Sequence, residues 1–355
     1  MITRDLLQGN ALEYYKRNRT IAIYWGTGIG KSKAACLCIE ATDTSQHPVL
    51  IVADTQNARD HTWPQEIAEW IPHKAVNVQI VCIASLHKIV GNEYSLIIID
   101  EAHMLTAGKM KFFNFNIYHG LILLTATPPE EKDKRDIFKR LVGTNTLSFH
   151  IDAAIQEGML NNYRIIAFTY EIEGLEFSKY LDICRILDKA KSSGNHEFIN
   201  AMAGKRMHYI YNLASKRALV GKLVEKSAHR RKLVFCPTIP FADSFGYPSY
   251  HSGSADKSNL DKFRRGEINT LCTVQSLRAG GNYKDLMYAI IAQVQGKKRN
   301  LIQTLGRQLR GESGQTATIW TVIAKNTIDL TWFRSATKEL DQKKIFYHPH
   351  TELLK

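Results

Sequence analysis

Short apolar runs recur along the first half of the chain, at Ile21–Tyr24, Val49–Ala53, Ile80–Ile83, Leu96–Asp100 and Leu121–Thr125. Each run is nearly continuous rather than alternating, which is the pattern of parallel strands covered on both faces. The stretches between them, such as Lys33–Ala41 and Trp63–Trp70, have helix-compatible sequence. Strands alternating with helices predict a doubly wound α/β sheet. The second half repeats the pattern at Lys232–Cys236, Thr270–Val274, Tyr288–Ala292 and Thr316–Ile323. The expectation is two tandem parallel-sheet domains, over residues 1–150 and 151–345. Residues 346–355 are expected to form a C-terminal tail, with His348 and His350 solvated.

Glu173 to Lys226 breaks this rhythm. Phe177, Leu181, Cys184 and Leu187 recur at helical spacing, as do Phe198, Met202, Met207, Ile210 and Leu213, with a loop expected at Ser192–Asn195. The segment reads as a helical insertion whose apolar positions serve packing.

A chain of 355 residues is long enough for two domains, each with its own core. Composition is globular, with 44% apolar and 23% charged residues. The 47 Lys and Arg against 34 Asp and Glu leave a formal charge of +13. That excess favours a polyanionic partner, although a basic enzyme with no polymer partner would share it. None of the six cysteines forms a CxxC pair, and Cys36, Cys82, Cys236 and Cys272 lie in apolar stretches, as reduced core residues do. The apolar runs are far shorter than a membrane span and the N-terminus has no signal-peptide core, so an intracellular protein with no membrane partner is expected.

Two motifs carry chemistry. Gly26, Thr27, Gly28, Ile29, Gly30, Lys31 and Ser32 follow one expected strand and precede a helical stretch, the context of a phosphate-binding loop. Glycines let backbone N–H groups wrap a phosphate, and the helix N-terminus adds its positive end. Lys31 would reach the β- and γ-phosphates of a nucleotide, and Ser32 would ligate Mg²⁺. Trp25 stands where the strict pattern has glycine. Further on, Asp100, Glu101, Ala102 and His103 end another strand. Asp100 can hold Mg²⁺ there, and Glu101 can orient and deprotonate a water.

The Asp-Glu-Ala-His string resembles motif II of the DEAH group of superfamily 2 helicases, and further motifs of that family follow in order. Leu124–Pro128, with Thr125 and Thr127, resembles motif III, which couples hydrolysis to movement, as His103 would also. Val52–Thr55 with Trp63, Glu66 and Trp70 resembles motif Ia, with Asp54 in place of the usual proline, and Ile83–Leu86 resembles motif Ib. Gln8 stands where many relatives carry an adenine-reading glutamine, but a surface glutamine on an N-terminal helix would look the same. Leu233–Thr238 resembles motif IV, Thr273–Asn282 motif V, and Gln303–Gly311 motif VI, with the pattern QxxGRxxR.

The resemblance implies two RecA-like parallel-sheet domains, α/β in class, with a helical insertion, and a motor that works as a monomer. It implies ATP and Mg²⁺ held through Gln8, Gly26–Ser32, Asp100, Gly280 and Asn282. Glu101 would activate water, and Gln303, Arg307 and Arg310 would complete catalysis from the second domain. Such arginines contribute about 10³–10⁵-fold in rate. Phosphate contacts to nucleic acid would come from Thr55, Arg59, Ser85, Thr238, Thr273 and Gln275; His229–Lys232 and Lys297–Arg299 would widen the basic track, although each cluster alone reads better as a solvated surface. The segment Ala153–Tyr163 is similar to a connector found in type III restriction motors, DNA-repair helicases and phage branch-migration helicases, which favours DNA over RNA. An RNA helicase, a duplex translocase that does not separate strands, and a nucleic-acid-binding scaffold with an idle motor remain as alternatives.

Overall fold

The computed structural model describes residues 2–254, 256–274, 286–294, 301 and 315–353. They form two compact units, one ending at Asn161 and the other beginning at Asn162. The division falls later than residue 150 because the connector packs onto the first unit. The Ile2 amide donates to Glu157 Oε2 at 2.6 Å, Arg4 bonds the Met159 carbonyl, and Met159 and Leu160 are buried.

The first unit holds β1 (Thr20–Trp25), β2 (Val49–Ala53), β3 (Val78–Cys82), β4 (Glu93–Tyr94), β5 (Leu96–Ile99), β6 (Ile117–Tyr118), β7 (Leu121–Thr125) and β8 (Thr146–Phe149). Six of these form one parallel sheet in the order β3-β2-β5-β7-β1-β8, while β4 and β6 pair separately. Every residue of β2, β5 and β7 is buried, so continuous apolar runs were the right signature. On one face Leu50, Val52, Ile97, Ile99, Leu121 and Leu123 pack with Leu86, Leu105, Phe112 and Phe138. The helices are α1 (Arg4–Asn18), α2 (Lys31–Glu40), α3 (Trp63–Trp70), α4 (Lys111–Phe115), α5 (Lys132–Val142) and α6 (Ile151–Gln156). Thr3 caps α1, its hydroxyl accepting the Leu6 amide at 3.2 Å.

The second unit holds β9 (Asn162–Tyr170), β10 (Lys232–Phe235), β11 (Ser249–Tyr250), β12 (Thr270–Thr273), β13 (Tyr288–Ile291), β14 (Thr316–Ala324) and β15 (Ile345–Pro349). They form a seven-stranded parallel sheet in the order β11-β12-β10-β13-β14-β9-β15. Its helices are α7 (Gly174–Ser193), α8 (His196–Tyr211), α9 (Ala214–Lys226), α10 (Ile239–Asp243), α11 (Asn259–Arg264) and α12 (Ile328–Thr337). β15 occupies part of the expected tail. Its pairing with β9 and the burial of Leu353 anchor those residues, and His348 reaches Glu352 at 2.7 Å.

The helical insertion is present, but its role divides. A parallel step from β9 to β10 requires a crossover. Helix α9 provides it by burying Leu219, Val220, Leu223 and Val224 in the core. Helices α7 and α8 form a more exposed hairpin, turned at Gly194 (φ 69°) and capped by Asn195, which accepts the Phe198 amide at 3.0 Å. Leu187, Ile210 and Leu213 pack as expected, whereas Leu181, Phe198 and Met207 are exposed. All six cysteines are free, and all but Cys184 are buried.

Two lysines lie inside this unit. Lys216 on α9 donates to Asp329 Oδ2 at 2.5 Å and to Gln293 Oε1 at 2.7 Å, and Gln293 Nε2 donates to Asp329 Oδ1 at 2.9 Å. Lys232 donates to the Ser227 carbonyl and Thr270 Oγ1, and burial lowers its pKa to about 8. The cluster His229–Lys232 is therefore not a free basic track. Lys232 points inward, Arg230 lies over the Tyr288 ring, and Arg231 donates to the Phe263 carbonyl. Replacing one member of a buried ion pair strands the other charge, at about 3–5 kcal/mol. Asp329→Ala should therefore lower stability in urea melts by roughly that amount. The double change Lys216→Met with Asp329→Leu should recover most of the loss.

Candidate functional site

In a parallel sheet of this kind, ligands bind beyond the carboxyl ends of the strands. Along the first unit's sheet, the adjacent strands β1, β7, β5 and β2 end respectively at the glycine loop, Thr125, Asp100 and Asp54. Four distant segments of sequence thereby meet along one sheet edge.

Gly28 (φ 93°) and Gly30 (φ 104°) both adopt the left-handed region that favours glycine, and α2 starts immediately after Gly30. A Cβ on Gly30 would collide with Gln8 Nε2, and one on Gly26 would lie 3.3 Å from Ile29 Cδ1. Trp25 explains itself here. Its side chain is core, 2% exposed at the end of β1, and only its carbonyl faces the loop, accepting Lys31 Nζ at 2.9 Å. Ser32, in the first turn of α2, is half-buried.

Gln8 is not a surface residue. It lies on α1 at 2% exposure, packed against the loop, and its Oε1 is buried without a hydrogen-bond partner. Thr27 Oγ1 is likewise buried and unpartnered. Buried polar atoms left unsatisfied cost about 1–3 kcal/mol each. Two of them beside a glycine cradle are suited to a ligand that supplies the missing donors and acceptors.

The acidic side of the site is crowded. Asp100 Oδ2 accepts the indole N–H of the buried Trp63 at 3.1 Å, and its Oδ1 accepts the Glu101 amide at 2.9 Å. Glu101 adopts φ 44°, ψ 49°, a left-handed conformation costly for a side chain with a Cβ. Burial, then the charges of Glu101 and Asp54, raise the Asp100 carboxyl to about 7, against the pull of Lys31 and Trp63. Burial and Glu101 also raise Asp54. His103, 7% exposed, places Nδ1 3.1 Å from Glu101 Oε2 and 3.4 Å from Thr125 Oγ1. The Thr125 hydroxyl donates to the Thr127 carbonyl at 3.2 Å, so a polar chain links the end of β5 to the loop after β7. Three carboxylates beside one lysine form a donor set for a hard divalent cation.

The remaining expected residues have surroundings of their own. The Thr55 hydroxyl accepts the Ala58 amide and donates to Asp54, each at 3.2 Å, and Arg59 forks onto Asp60 at 2.6 and 2.9 Å. Ser85 is half-buried in the turn Ile83–Lys88. In the second unit Thr238 donates to Asn212 Oδ1 at 2.9 Å. Thr273 is fully buried at the end of β12, and its Oγ1 has no hydrogen-bond partner among the described residues. Gln275, Gly280, Asn282, Gln303, Arg307 and Arg310 lie outside the described residues, as do Lys297–Arg299. Trp63's bond to Asp100 had no sequence signal, because the two residues are 37 positions apart and meet only through the order β2-β5.

Raising a carboxyl's pKa on folding favours the protonated form. Asp100 therefore costs no stability below the unfolded value of about 4, and its cost grows up to about 7 and persists above that. Asp100→Asn should raise the Tm of the protein by a few degrees at pH 8. Melts repeated at pH 5 should show most of that gain gone. Gly30→Ala should cost about 1–3 kcal/mol through its left-handed backbone alone, read as a lower urea midpoint.

No protein-family model matches the chain, and no curated protein matches it by sequence. Solved structures do match its fold. S. cerevisiae Dbp5 bound to RNA and ADP BeF3 is 14% identical, with a TM-score of 0.66 over 98% of this chain and 93% of that one. A variant of Dbp5 bound to the same ligands is 14% identical, with a TM-score of 0.65 over 98% and 90%. The Pyrococcus furiosus Hef helicase domain is 13% identical, with a TM-score of 0.54 over 94% and 97%. The chain thus shares the fold of these structures, two tandem RecA-like parallel-sheet domains, here carrying a helical insertion.

Proposed function

We propose that this protein is an ATP-dependent motor of the superfamily 2 helicase type, hydrolysing ATP to unwind or remodel nucleic acid, with DNA as the preferred polymer. The observation that carries the reading is the meeting of Gln8, the Gly26–Ser32 loop, Asp100 and Glu101 at one sheet edge. Gln8 would read the adenine edge with the carboxamide that lacks a protein partner. Backbone amides around Gly28 and Gly30 would cradle the phosphates, and Lys31 would exchange the Trp25 carbonyl for phosphate oxygens. Ser32 and Asp100 would hold Mg²⁺, which supplies charge neutralisation at the phosphates. Glu101, held in its strained turn, would accept the proton of the attacking water, worth about 10²–10⁴-fold. His103, Thr125 and Thr127 would pass the change at Glu101 to the rest of the domain, since they already contact one another.

The preference for DNA is supported by the connector Ala153–Tyr163 and its likeness to DNA-directed motors. The fold's likeness to Dbp5 bound to RNA favours the RNA reading instead. A duplex translocase without strand separation uses the same chemistry.

Lys31→Ala should lower phosphate release by at least about 10²-fold, while filter binding of single-stranded DNA stays near the unmodified level. Normal turnover in that variant would remove the proposal. Gln8→Ala should cost about one hydrogen bond, narrowing the preference for ATP over GTP by roughly tenfold in kcat/KM.

A further inference from the structure

The opposite edge of the first sheet carries a second cluster. His47 precedes β2, Glu93 lies on β4, and His119 precedes β7. All three therefore sit at the amino ends of the strands, about one strand length, roughly 15 Å, from the edge that holds Lys31 and Asp100. Their ligand atoms lie within 4.8 Å of one another. His119 Nε2 is 2.8 Å from Glu93 Oε1, and His47 Nε2 is 3.4 Å from the same oxygen.

We propose that His47, Glu93 and His119 form a binding site for a first-row divalent transition metal, Zn²⁺ in particular. Two imidazoles and one carboxylate are the donor set for Zn²⁺, with a fourth position left for water. Zinc bonds of about 2.0–2.2 Å in a tetrahedron put ligand atoms roughly 3.3 Å apart. The His47 contact already has that spacing, and it is too long for a good hydrogen bond. Without a cation, both Nε2 atoms converge on a single carboxylate oxygen. With one, each neutral ring directs its lone pair at the metal.

The backbone holds the three positions in place. Ser95 Oγ donates to the His47 carbonyl at 2.8 Å, and the Ser95 amide donates to the Pro48 carbonyl at 3.0 Å. The His119 amide donates to the carbonyl of buried Tyr94 at 3.1 Å, and Glu93 pairs with Ile117 in the β4–β6 ladder. Three segments far apart in sequence are thus locked together, with their side chains turned to one point. His47 and Glu93 are half-buried, at 31% and 36% exposure, and His119 is exposed at 53%. A bound cation would tie the amino ends of β2 and β7 to the small ladder between them.

The test is calorimetric titration of ZnCl₂ into the full chain, free of any histidine tag and stripped with chelator, in millimolar Mg²⁺. One site per chain with micromolar affinity or tighter is expected, together with a Tm raised by a few degrees at saturating Zn²⁺. Co²⁺ should give visible d–d absorption at the same stoichiometry. His119→Ala, at an exposed position, should weaken binding at least about tenfold with an unchanged circular dichroism spectrum, and Asp100→Asn should leave it intact. No saturable binding, or undiminished binding in His119→Ala, would overturn the proposal. So would loss in Asp100→Asn alone, which places the ion at the nucleotide edge.

Discussion

Three carboxylates, Asp54, Asp100 and Glu101, share one end of a buried parallel sheet with a single lysine, Lys31. The rest of the first unit's design depends on tolerating that concentration of charge. Burial and its acidic neighbours raise the Asp100 carboxyl, and the indole of Trp63 and the amide of its own neighbour hydrogen-bond its two oxygens. Glu101 is bent into a left-handed backbone that turns its side chain toward His103. This strain makes sense where a ligand's charge offsets it, and β2, β5, β7 and β1 provide the rigid frame in which it persists.

The same logic explains the surroundings. Gln8 and Thr27 present polar atoms that the protein does not satisfy, beside glycines in the left-handed region. On the proposed function, a magnesium nucleotide would relieve the unmet hydrogen bonds and the crowded carboxylates together. The second unit shows the contrasting solution. There the buried charges of Lys216 and Asp329 satisfy each other and Gln293 completely, as interior charges serving structure must.

Much of this was legible in the chain. The central strands β2 and β7 have the bounds that apolar continuity predicts, because burial on both faces leaves no polar position to blur the run. The glycine loop and the Asp100–His103 string stood out by their order in the sequence, and the fold brings both to the carboxyl ends of strands in one sheet. Edge elements were not. β8 alternates between exposed and half-buried residues, and β15 has one buried residue, so neither carries a strong apolar signal. Helix α9 was grouped with an insertion because helical periodicity cannot show which face meets a sheet formed by residues elsewhere. Convergences across sequence, Trp63 on Asp100 and His47 with His119 on Glu93, come from strand order alone.

The central claim is that the charged sheet edge is an ATP site whose turnover answers to nucleic acid. Phosphate release by the unmodified protein, measured at saturating MgATP with and without single-stranded DNA or RNA, tests it most directly. The account predicts hydrolysis stimulated at least about tenfold by polymer, more strongly by DNA, and falling with added salt as phosphate contacts are screened. Hydrolysis indifferent to both polymers, or no hydrolysis under any condition, would contradict it.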